Sequence, residues 1–181
     1  RPDVGASESI RGSRSGELVA RCIVETGTSS FYSAIAEATD EPVLQQICRA
    51  IAADEFRHYK LFYDALRRYL DIEGLGRLGR LKVAIGRINE TEDDELSYAY
   101  YAANLHGKEE YDRERCHRLY MAPVYKNYRR QHMDKAVAMI AKASGIRLYE
   151  PVRKTVASVM LNRIHRQADK FEAVREQTQA A

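Results

Sequence analysis

Two apolar stripes at helical spacing run through residues 17–70, and each is interrupted at mid-length by ionisable side chains. The first stripe carries Leu18, Cys22, Ser29, Tyr32 and Ala36, and Glu25 fills the gap in that seam. The second carries Leu44, Ile47, Ile51, Glu55, His58, Phe62, Leu66 and Tyr69. Between them Asp40-Glu41-Pro42 gives a break and a restart. Proline suits the first turn of a new helix, and acids suit its positive end. The pattern predicts one helix from Glu17 to about Thr39 and a second from Pro42 to about Leu70. So short a connection makes them antiparallel neighbours.

A stripe that faces a core should be apolar throughout. A buried carboxylate without a partner costs several kcal/mol or changes its protonation state. Glu25, Glu55 and His58 stand at one level on the two stripes, so they call for a shared counter-charge, which a metal ion supplies. Glu55-Phe56-Arg57-His58 is an E-x-x-H, which aims a carboxylate and an imidazole from one helical face. One Glu plus one E-x-x-H on a helix pair is half of the ligand set of di-iron and di-manganese carboxylate bundles. Oxygen and nitrogen donors together suit iron or manganese better than a thiolate-seeking metal. An E-x-x-H alone is common on solvated faces, but Ile51 and Phe62 share this stripe and favour the metal reading. Gly27, Thr28, Ser29 and Ser30, one turn beyond Glu25, are small enough either to leave room for ions or substrate or to let helices pack closely.

The remainder of the 181 residues is also helical in character, with 4 Pro, 10 Gly and 45% hydrophobic content. Residues 1–15 read as an extended lead-in, residues 16–72 as the helix pair, and residues 73–181 as a helical extension packed on the same domain. The segment 74–88 is basic and punctuated by glycine. A third helix is expected over roughly Glu95 to Leu105, and a fourth from about Tyr111 to Ala143, bent at Pro123 and ended by Ser144-Gly145. A fifth starts near Glu150 and should fray toward Ala181. No apolar run approaches the roughly 18–20 residues of a membrane span. Three cysteines without a C-x-x-C pair argue against a disulfide framework or zinc ribbon and fit a reducing, cytoplasmic setting.

Other titratable residues have plainer readings. Glu114-Arg115-Cys116-His117 repeats the E-x-x-H spacing but lies in a charge-dense run, as a solvated face does. Glu95 reads as a first-turn acid answering a helix dipole, and His106, just before Gly107, as a helix C-terminal residue. His132 and His165 lie beside arginine-rich stretches and read as surface or interface histidines. Tyr32 shares the stripe of Glu25 and reads as packing, as do the many other tyrosines. Residues 75–88, with Arg77, Arg80, Lys82 and Arg87 among leucine, valine and isoleucine, form an amphipathic linker that could meet an acidic carrier protein or an anionic membrane surface. No motif for nucleic acid is present.

Leu44 to His58 (LQQICRAIAADEFRH), with Val24-Glu25-Thr26 before it, resembles the second helix-pair module of acyl-ACP desaturases. The likeness covers about residues 18–66 and extends more generally to the ferritin-like di-iron carboxylate superfamily, including the ribonucleotide reductase small subunit and rubrerythrin. It implies an all-α protein, the second half of a ferritin-like antiparallel bundle with additional C-terminal helices. It further implies two iron ions (or manganese), with Glu25 and His58 as terminal ligands and Glu55 bridging. Asp54 would hold a histidine ligand of the opposite module, and Arg57 would tune the centre with it. The implied activity is dioxygen-activating oxidoreductase chemistry, desaturase-like or oxidase-like. The alternatives are a ferroxidase or iron-handling protein, or a non-catalytic helical subunit of a larger assembly. The superfamily's other module, with its own Glu and E-x-x-H, does not precede Glu25 here. Either an upstream helix pair, expected because Arg1 is not Met, or a homodimer would complete the ligand set.

Overall fold

The structure, a computed structural model, describes residues 11–90 and 94–179. Seven helices and no strand are found among the described residues: α1 (Arg14–Ala38), α2 (Pro42–Glu73), α3 (Arg77–Asn89), α4 (Asp94–Asn104), α5 (Arg113–Asn127), α6 (Arg130–Ser144) and α7 (Glu150–Gln179). The architecture is an all-α bundle. No helix among the described residues is long and apolar enough to cross a membrane. The expected lead-in over residues 1–15 lies largely outside the described residues, and helix is already present at Arg14.

The α1–α2 pair is antiparallel, as its short connection requires. Gln45 Nε2 donates to the Ala36 carbonyl, Ser29 Oγ to the Ala52 carbonyl, and the Ser15 amide to the Glu73 carboxylate, so the partners run in opposite senses. The starts of α1 and α2 are capped by side chains. Ser13 accepts from the Gly16 amide at the start of α1, and Glu41 accepts from the Val43 and Leu44 amides at the start of α2. Glu73 reaches across from the end of α2 to the Arg14 and Ser15 amides, which places a carboxylate on the positive end of α1.

Helix α1 is the centre of the molecule, packed on α2, α6, α3 and α5. Val19 and Ile23 of α1 meet Leu66 of α2 and Ala84 of α3 in one core cluster. The other end of α1 contributes Ala34 to a cluster of Val124, Tyr128, Met133, Val137 and Ala157, which ties in α5, α6 and α7. The apolar stripe of α2 is covered only in part. Leu66 is buried, whereas Leu44 and Ile47 are exposed, together with Val43 and Leu61. Ile51 and Phe62, in the middle of the stripe, are partly buried. Helices α1 and α6 take the opposite side of α2, and nothing described packs on this one.

Residues 111–143 are two helices, not one helix bent at Pro123. Pro123 sits inside α5, and the chain breaks at Tyr128 and Arg129, both extended. The break is fixed by groups distant in sequence. Tyr128 is buried in the core, its carbonyl accepts from His165 Nε2 at 3.0 Å, and the Arg129 amide donates to His132 Nδ1 at 3.0 Å. The basic segment forms α3 from Arg77 onward, with Arg80 lying against Gly145, the left-handed residue (φ +71°) that ends α6.

Candidate metal centre

Glu25 lies in the middle of α1, and Glu55 and His58 lie one turn apart on the facing part of α2. Positions i and i+3 of a helix share a face, so the E-x-x-H presents both groups toward Glu25. One donor atom from each of the three residues falls within 4.8 Å of the others. His58 Nδ1 is 3.1 Å from Glu55 Oε2 and 3.7 Å from Glu25 Oε2. Among the described residues this is the one group of at least three His, Cys, Asp or Glu side chains that converge in this way.

Burial is graded across the group. Glu25 is 8% exposed, Glu55 is half-buried, and the His58 side chain is open to solvent. The inner side is closed by Cys22, one turn before Glu25, and Tyr59, one turn after Glu55, packed with Met139 and Ala143 of α6. The Tyr59 hydroxyl donates to the Met139 carbonyl at 2.8 Å, which satisfies it and locks α2 to α6. Burial, then the adjacent Glu25 charge, pushes the Cys22 thiol up to about 12, so it remains a neutral packing group.

The two carboxyls shift in opposite directions, as a pair bridged by one proton does. Burial first, then the hydrogen bond and repulsion from Glu55, push Glu25 up to about 7, against the attraction of His58 and Arg21. Glu55 moves down, chiefly because it accepts the hydrogen bond from Glu25, with burial opposing and His58 assisting. Two carboxyls in contact that hold a proton between them are a site short of positive charge. A divalent cation bound there would release that proton, and the oxygen and nitrogen donors fit iron or manganese.

The other sequence-derived candidates lie elsewhere. Asp54 is exposed and pairs with Arg57; it lies at seven-residue spacing from Ile47 and Leu61 on α2 and is not one of the three converging groups. Glu114 pairs with Arg118 at 3.4 Å, with its side chain 80% exposed, and neither it nor His117 joins a metal-binding group. The side chain of Glu95 lies outside the described residues. His106 follows the end of α4 with its ring edge-on to Tyr101. Tyr32 stacks edge-on against Phe31. His132 and His165 correct the expectation of surface histidines. His132 is buried between the Arg129 amide and Glu37, with Nε2 3.2 Å from Glu37 Oε2, and His165 is half-buried on Tyr128. Both cap or brace helix ends, a role that depends on tertiary contacts. Of the small residues beyond Glu25, Ser29 and Ser30 are buried, Ser29 donating across to the Ala52 carbonyl and Ser30 to the Thr26 carbonyl one turn back, whereas Gly27 is exposed with open space around it. Cys22 and Tyr59 were not singled out at the site from sequence. Their signal is positional, since each sits one turn from a candidate ligand on the inner side of its helix.

A family model described as rubrerythrin matches residues 18–144. The match runs from α1 through α6. No curated protein and no solved structure gives a match.

Proposed function

The chain belongs to the rubrerythrin family, within the ferritin-like di-iron carboxylate superfamily, and on that premise we propose that Glu25, Glu55 and His58 are iron ligands of an oxygen-activating oxidoreductase centre. The observation that carries this reading is the convergence of one carboxylate from α1 with a carboxylate and an imidazole from α2. Iron bound there would supply the redox equivalents for reaction with dioxygen. The chain's own residues supply the rest. Glu25 holds a proton against Glu55 until metal displaces it, Cys22 and Tyr59 close the inner side against water, and His58 faces the open side.

Three protein ligands are roughly half of what a two-iron centre of this superfamily uses. The remaining ligands come from a second helix pair seated on the open face of α2, where Leu44, Ile47 and Leu61 are exposed around His58. A helix pair of the same polypeptide preceding α1 is the favoured source, because the E-x-x-H stretch resembles a second module. A second copy across a two-fold axis is the alternative.

Elemental analysis of the purified protein tests the assignment. Iron or manganese is expected in the unaltered protein and is expected to be largely lost from Glu55→Ala with His58→Ala. Unchanged metal content in the double variant removes the trio as the site. Oxygen-uptake measurements then separate the readings. Consumption coupled to an organic substrate supports the oxidoreductase, and consumption matched to ferrous iron alone supports iron handling.

A further inference from the structure

Two clefts meet at Tyr63 of α2. One, of about 720 Å³, lies where α6 ends and α7 begins, and Lys142, Gly145, Arg147 and Tyr149 line it with Tyr63. The other, of about 570 Å³, is lined by Tyr63 and by Arg80 of α3. Arg80 links the two, since a Cβ at Gly145 would run into both terminal nitrogens of its guanidinium. That guanidinium makes no hydrogen bond or ion pair with any described residue, and its Nε is shut off from solvent. A buried donor without an acceptor is costly and rare in native proteins.

The acids nearby do not answer it. Glu150 pairs with Lys154, and Asp134 pairs with Arg153 at 3.2 Å. Asp64 and Asp71 line the second cleft, but both are exposed and stand three or four residues from the exposed Arg67 and Arg68 on the same face of α2, two carboxylates for two arginines. Arg147 is exposed and has no ion-pair partner among the described residues. Lys142 rests on the ring of Tyr63 at 4.6 Å and on no described carboxylate. The negative end of α6, worth roughly half a charge, is offset by the positive end of α7 beside it. Arg80, Lys142 and Arg147 therefore gather around Gly145 with their charge unmatched.

We propose that a phosphate group, as the free ion or on a small phosphorylated molecule, binds between Arg80, Lys142 and Arg147. Guanidinium groups offer paired donors that match a tetrahedral oxyanion, and the lysine adds a point charge. A neutral ligand would leave Arg80 unanswered, and a cation would meet three like charges. Tyr149, which lines the cleft and is 84% exposed, is the surface on which the body of a phosphorylated molecule would lie. The site is separate from the Glu25, Glu55 and His58 group and does not depend on the function proposed for it.

Isothermal titration of the full chain with inorganic phosphate, phenyl phosphate and chloride at fixed ionic strength tests the proposal, with melting temperature as the control for folding. Phosphate is expected to bind saturably, with chloride weaker by about tenfold or more, the discrimination that one charge-assisted contact gives. Arg147→Gln, at an exposed position, is expected to weaken phosphate by a similar factor, and Arg80→Gln by at least as much. Tighter binding of phenyl phosphate supports a phosphorylated molecule as the ligand, and equal or weaker binding supports the free ion. Absence of saturable phosphate binding by the unaltered protein overturns the proposal without recourse to any variant. Unchanged affinity in either arginine variant that keeps its melting temperature overturns it as well. Loss of phosphate binding in Glu55→Ala with retention in both arginine variants would place the ion at the metal group and overturn it in turn.

Discussion

At the scale of single residues the decisive pair is Glu25 and Glu55. In metal-free protein Glu25 is pushed up to about 7 by burial and by its neighbour. A carboxyl raised in the folded state binds more protons folded than unfolded, so its contribution to stability is fully present below the ordinary carboxyl range and is lost as pH rises through about 7. Glu55 shifts the other way, and its contribution is lost only at acid pH, so between the ordinary carboxyl range and about 7 the sign follows Glu25. Metal-free protein is thus expected to melt at a higher temperature at pH 6 than at pH 8, and Glu25→Gln to flatten that dependence. A melting temperature independent of pH across this window, or the same slope in the variant, would contradict the shared proton. Saturating iron should also remove the slope, because metal takes the proton's place. The trio was legible in sequence because helical periodicity alone puts Glu25 on a stripe and Glu55 with His58 on the next. The unequal burial of its members was not, since that depends on which side of α2 is covered.

At the scale of elements, two glycines that look alike in sequence differ in what they do. Gly27 sits inside α1 with open space where a Cβ would stand. Gly27→Ala should therefore stabilise the protein by about 0.5–1 kcal/mol, the usual gain of alanine over glycine in a helix interior. Gly145 ends α6 with φ +71°, and a Cβ there would run into the Arg80 guanidinium. Gly145→Ala should cost about 1 kcal/mol or more, from the left-handed backbone first and the displaced arginine second. Chemical denaturation of both variants checks the pair, and a gain at position 145 or a loss at position 27 would contradict the backbone argument. The α5–α6 boundary has a related lesson. Pro123 removes one helical hydrogen bond, yet the helix continues through it, because the stronger local constraint is the burial of Tyr128 with its carbonyl held by His165.

At the scale of the whole molecule the exposed side of α2 carries the prediction. Val43, Leu44, Ile47 and Leu61 form an apolar face with His58 among them, and Ile47 alone is 50% exposed. Ile47→Lys with Leu61→Lys should leave the α1–α2–α6 packing intact, since neither side chain joins a core cluster. Metal content of the complete protein should nevertheless fall, because the helix pair that brings the other ligands would lose its seat. Retained helicity with retained metal would remove this face as the docking surface. Light scattering separates the sources: a monomer with full metal content points to a helix pair within the same polypeptide, and a dimer that dissociates in the double variant points to a second copy.

Spacing along one or two adjacent helices is enough to set the helical class, the antiparallel first pair and the level shared by the three ionisable groups. The family match extends that class over residues 18–144. The tertiary structure decided what periodicity cannot encode: which side of an amphipathic helix finds a partner. It turned His132 and His165 from surface residues into braces, moved the helix break from Pro123 to Tyr128, and left Leu44, Ile47 and His58 of the α2 stripe open. Each of these outcomes is set by contacts between elements far apart in sequence, where burial outweighs local propensity.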